Sequence, residues 1–224
     1  MTAVTDIVRL HLLDRRPILG VLLAVPLFVA FGVALTAADV AAQGSLGRGF
    51  AIGIIGGLYG GLAGVHATAF SRLFTFALAM GRSRGAYAAG TLLFVLAESL
   101  VLGSLLHLAL GIEQLTGGWG ADLRFMAGGW AVVGNPLGQY AVFTAPFLLT
   151  FPLVLLGCAV HARWSRAGLL VAAVPAAAVA LLVVVAVGLL TIGSTPPVLR
   201  TAMLLALGLV AAVAAWGAAR RAAV

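Results

Sequence analysis

The chain has 224 residues, 63% of them hydrophobic and 8% charged, with a formal net charge of +7. That much apolar surface does not fit inside one soluble core of this length, which excludes a soluble domain. All thirteen basic residues are arginine and they flank apolar stretches, so the charge reads as topology and attraction to anionic lipid, and a nucleic-acid-binding protein is excluded.

Residues 1–16 set Val4, Ile7, Val8, His11 and Leu12 at helical spacing against Asp6, Arg9 and Asp14. This suits an interfacial helix on the inner membrane surface, although a polar tail leading into a span accounts for the same residues. Six apolar stretches follow, at about 17–38, 50–70, 86–111, 139–161, 167–192 and 198–218. Each is long enough as a helix to cross a hydrocarbon layer of about 30 Å. Their Leu-, Ala- and Val-rich runs lack the alternation of a barrel strand, so the expected fold is all-α, a single six-helix membrane bundle over 1–224. The first stretch is too long for a signal-peptide core and is expected to remain as a span.

Ten arginines, at 9, 15, 16, 72, 82, 84, 163, 166, 220 and 221, fall before the first span and after the second, fourth and sixth. The alternate gaps hold Arg48, Arg124 and Arg200 together with Asp39, Glu113 and Asp122. Positive loops stay inside, which predicts cytoplasmic N- and C-termini.

In the second span Gly49, Gly53, Gly57 and Gly61 recur every four residues, with Gly60 and Gly64 on the adjoining row. Such a ridge lets a helix approach closely, either within the chain or across a dimer seam. Residues 71–85 form an inner connection with more apolar surface than a plain loop needs, in Phe74, Phe76, Leu78 and Met80; Gly81 marks a helix end, beside Arg82 and Arg84. The largest outer segment, 112–138, combines Trp119 and Trp130 with Glu113, Asp122 and Arg124, and reads as a re-entrant or surface-lying element that caps a path or simply packs at the interface. Cys158 stands alone, which supports neither a disulfide nor a metal cluster.

Enzyme chemistry finds no foothold. A phosphate-binding loop needs a lysine that the chain lacks, and the His-Glu-x-x-His metal motif is absent. Ser104 and His107 are the one local nucleophile–base pair, on a single helix where such residues ordinarily satisfy neighbouring groups. Glu98 is different, because it falls near the middle of the third span, where an ionised carboxylate costs on the order of 3 kcal/mol. Tyr87, Thr91 and Glu98 share one helical stripe, and His66, His107 and Ser99 are the candidate partners of the carboxyl. Two roles fit: a site for a cation, polar substrate or proton, and a hydrogen-bonded clasp between helices.

The stretch Phe74-Thr75-Phe76-Ala77-Leu78-Ala79-Met80-Gly81-Arg82-Ser83-Arg84, followed by Tyr87 and Gly90-Thr91, resembles the permeases of type-2 ATP-binding-cassette transporters, in a short actinobacterial-type group. Thr116-Gly117-Gly118-Trp119-Gly120 and His161-Ala162-Arg163-Trp164 extend the likeness, while Ser83 and Ser165 depart from it. The resemblance implies a multi-pass protein of the bacterial cell membrane and a dimer of permease copies. It also implies a separate cytoplasmic ATPase subunit that binds ATP and Mg, with no cofactor in this chain. Residues 74–84 would be a short coupling helix between helices 2 and 3 that docks on that ATPase, and transport, as export, would be the function. Two rivals remain from the residues alone: a proton-coupled secondary transporter with Glu98 as carrier, and a structural or sensory membrane subunit.

Overall fold

The computed structural model describes residues 3–13, 15–43, 48–129, 134–162 and 196–221. No strand occurs among them. Seven α-helices follow in order: α1 (Ala3–Leu13), α2 (Arg15–Gln43), α3 (Arg48–Ala79), α4 (Arg84–Leu115), α5 (Phe125–Gly129), α6 (Pro136–Ala162) and α7 (Pro197–Arg221), with a π-turn at Gly118–Asp122 between α4 and α5. Among the described residues five stretches are long and apolar enough to cross a membrane: Ile18–Ala42, Gly56–Ala79, Arg84–Leu115, Pro136–Ala162 and Pro197–Arg221. They coincide with five of the six expected spans, and the chain is a multi-pass, all-helical membrane protein. The expected span at 167–192, with Arg163 and Arg166, lies outside the described residues.

Burial within the helices follows shape more than polarity. On α2 the inward stripe is Val21, Val25 and Val29, while the larger Leu19, Leu23, Leu27 and Phe31 point outward. On α7 the inward residues are Thr201, Gly208, Ala211, Ala215 and Ala219. A lipid exterior offers apolar side chains as good an environment as the interior, so close packing of small residues decides which face turns in. At Gly208 a Cβ would stand 2.7 Å from the Leu148 carbonyl oxygen, so α7 and α6 touch backbone to backbone.

The connection between α3 and α4 corrects one expectation. Residues 71–79 are not a separate coupling helix; they are the last turns of α3, which runs unbroken from 48. The physical reason lies in the composition: from Ser71 to Met80 there is no glycine or proline to stop the helix. The stop comes at Gly81, whose φ of +73° is the left-handed conformation a helix end favours. There Gly81 N–H donates to the Leu78 carbonyl and Arg82 N–H to that of Ala77, at 2.9 and 3.0 Å. Ser83 then caps α4, its Oγ accepting from Ala86 N–H at 3.1 Å. Each arm of this hairpin has 32 residues, about 48 Å at the α-helical rise, so it is longer than the hydrocarbon layer is thick.

Several helices meet at one end of the bundle. α1 packs along the first turns of α4, Arg220 of α7 lies over Gly85, and Ala88, Ala159 and Ala219 join α4, α6 and α7. This end gathers Arg9, Arg72, Arg82, Arg84, Arg220 and Arg221. Arg124 and Arg200 belong to the other.

Candidate functional site

The arginine-rich end is built around the α3–α4 turn. Phe76 and Met80 are 50% and 51% exposed, so they point away from the bundle. Phe74 and Leu78 are half-buried, and the Phe74 ring meets Tyr87 edge-on at 5.1 Å. The candidate coupling set is therefore split: Phe74 packs against α4 through Tyr87 and Leu78 is half-buried, while Phe76 and Met80 with Gly81 form the tip of the hairpin. Arg84 is half-buried at the first turn of α4. Arg82 turns back to α1, its Nη2 2.9 Å from Asp6 Oδ2. Between α1 and the end of α3 lies a trough of about 970 Å³ lined by Leu10, Leu13, Arg72 and Phe76 among others.

α1 is docked on the bundle by more than its apolar face. Ile7 is buried against Gly90, and His11 Nε2 is 3.0 Å from Thr91 Oγ1. The His11 ring stacks on Phe94 at 4.6 Å and meets Phe70 edge-on at 5.9 Å. Burial among these rings, with His66 nearby, pushes the His11 imidazole down to about 4, because the charged form loses its water.

The polar stripe of α4 makes an interhelical contact at each position. Tyr87 Oη donates to the Phe70 carbonyl of α3 at 2.7 Å, Thr91 meets His11 of α1, and Glu98 Oε2 lies 2.7 Å from His66 Nε2 of α3. Of the three candidate partners of Glu98, the geometry selects His66. Among the described residues Ser99 Oγ and His107 Nδ1 are buried without a hydrogen bond, and Ser104 bonds the Leu100 carbonyl of its own helix. The His66 ring is held from behind, with Nδ1 2.8 Å from the Leu62 carbonyl oxygen and its face stacked on Phe151 at 4.1 Å.

At the opposite end Glu113 has a role that its place in the sequence does not disclose. Its carboxylate accepts from Trp119 Nε1 and Met126 N at 2.7 Å and from Ala127 N at 2.8 Å. It thereby caps the first turn of α5 and ties the π-turn to the end of α4. α5 in turn plugs the bundle: Phe125 is buried against Gly32 of α2, where any side chain would collide with its ring.

The glycine ridge is open on its described part. Among the described residues, a Cβ at Gly57 or Gly61, or at Gly60 or Gly64, would meet nothing within 4 Å. Gly49 and Gly53 belong to the first turns of α3, and their surroundings lie outside the described part of the structure. Among the described residues no cluster of three His, Cys, Asp or Glu side chains is placed to hold a metal ion. Comparison with protein-family models, curated protein sequences and solved structures gave no match.

Proposed function

We propose that this chain is the membrane-spanning permease subunit of a type-2 ATP-binding-cassette transporter, forming a substrate path that a separate cytoplasmic ATPase subunit drives. The observation that carries the reading is the tip of the α3–α4 hairpin, where two large apolar side chains, Phe76 and Met80, stand half-exposed beside Arg72, Arg82 and Arg84. An apolar surface of this kind at a charged membrane face marks a protein-binding site. It coincides with the residues that carry the resemblance to the permeases, and the positive-inside rule puts the arginine-rich end in the cytoplasm.

In this reading no chemistry takes place in the chain itself, and ATP and Mg are bound by the partner. Because α3 is continuous, force applied at Phe76 and Met80 acts along one rigid rod into the bundle, without a hinge between the tip and the span. α1 follows the tip through Asp6 and Arg82. The glycine face of α3, uncovered among the described residues, supplies the seam for a second permease copy.

Copurification tests the assignment. A tagged wild-type chain extracted from its native membrane is expected to bring down an ATPase subunit. Phe76→Asp and Met80→Asp are expected to abolish the association and leave the bundle folded, as these side chains face outward. Undisturbed association in both variants, or an isolated chain that transports cargo in vesicles with no ATPase, would refute the proposal.

A further inference from the structure

We infer that His66 and Glu98 form a proton-binding site inside the bundle, in which one exchangeable proton, shared across their hydrogen bond, latches α3 to α4. The inference stands on the geometry of the pair and is independent of what drives the bundle.

The carbonyl oxygen of Leu62 can only accept a hydrogen bond, so His66 Nδ1, 2.8 Å from it, carries a hydrogen. The remaining ring nitrogen, Nε2, faces Glu98 Oε2 at 2.7 Å. With Nδ1 already protonated, that contact is a hydrogen bond only when a further proton sits between the two atoms, on the nitrogen as imidazolium or on the carboxyl oxygen. Both forms have the same proton count and no net charge, so the latched state is the protonated one. Removing the proton leaves a nitrogen lone pair against a carboxylate in a low-dielectric interior, and attraction becomes repulsion.

The surroundings give that proton few competitors. From α6 the pair meets the ring of Phe151, from α3 itself Phe70, from α4 Phe94, and from α2 Ile18 and Val21. His11 of α1 is the one other titratable group that faces it among the described residues, and it is engaged with Thr91. Beside the pair is a cavity of about 20 Å³, the size of one water, lined by His11, His66 and Glu98, and Glu98 Oε1 makes no hydrogen bond among the described residues. Since α3 and α4 are the two arms of the hairpin, loss of the proton frees them to part midway along their length.

Histidine NMR on the isotope-labelled full chain in lipid nanodiscs tests the site, with the His66 signal identified by its loss in His66→Gln. The latched wild type is expected to show a hydrogen on Nδ1 and a second proton shared by Nε2. Raising the pH is expected to produce a single one-proton transition at His66. Amide exchange around residues 62–66 and 98 is expected to rise with it, beyond the intrinsic effect of pH. Glu98→Gln keeps the contact through its amide N–H and has no proton to lose, so it is expected to abolish both changes. A bare Nδ1 in the latched state would overturn the inference. An undiminished transition in Glu98→Gln would do so too, as would a His66 signal and exchange pattern that stay constant over the whole pH range in which the bundle is folded.

Discussion

Ile7 occupies the space that a side chain at Gly90 would need: a Cβ there would stand 2.6 Å from Ile7 Cβ and 2.9 Å from the Val4 carbonyl oxygen. The N-terminal helix is therefore seated on the bare backbone of α4. Gly90→Val is expected to lift α1 from its seat at a cost of about 1–3 kcal/mol, the usual range for overpacking. Proteolysis or amide exchange of residues 3–13 reads the change, and protection equal to that of the wild type would show that α1 is held elsewhere.

The docking of α1 is expected to depend on pH through His11. Its imidazole falls from an ordinary 6.5 to about 4 when docked, so the undocked state binds the extra proton between those values. The neutral ring's contribution is complete above 6.5 and is lost as the pH falls toward 4, by about tenfold in the docking equilibrium per pH unit. Amide exchange of α1 across this range, in wild type and His11→Gln, checks the sign. The variant is expected to lose the pH dependence; a dependence retained in full would assign it to another group.

Glu113→Gln is expected to loosen the cap on α5. Three N–H groups converge on the carboxylate, and an amide offers one acceptor oxygen where two are used. A loss of about 1.5–3 kcal/mol follows for hydrogen bonds to a charged group. Faster exchange at Met126 and Ala127, with a red shift in Trp119 emission, is the expected signature.

How far these features were legible in the sequence differs from one to the next. The polar stripe of Tyr87, Thr91 and Glu98 was readable, because helical periodicity fixes which residues share a face. The identity of His66 as partner was not, since apolar spans carry no marker of relative depth accurate to one turn. Counting apolar residues located the part of α3 that crosses lipid and Gly81 marked where the helix ends, but neither disclosed that one unbroken helix joins the two. Glu113 looked like an ordinary outer charge because its partners at 126 and 127 arrive only when the chain folds back. The regular glycines at 57 and 61 advertised packing yet meet no described helix, whereas the tight contacts fall at isolated glycines, 32, 90, 103 and 208, that no repeat announces.

Orientation is open to a direct check. In a Cys158→Ser background, single cysteines at the exposed positions Ser83 and Ala121 are expected to behave oppositely toward a membrane-impermeant maleimide added to intact cells. Ala121→Cys is labelled and Ser83→Cys is not. The reverse pattern would place the arginine-rich end outside.

The central claim, that the α3–α4 tip is gripped by an ATPase, is tested most directly by a photo-crosslinking residue at Phe76 in native membranes. The account predicts a covalent adduct between this position and a cytoplasmic ATPase subunit, and none from the outward-pointing Leu27 of α2 as a control. Irradiation that yields no adduct at Phe76, or only adducts to lipid, would contradict it.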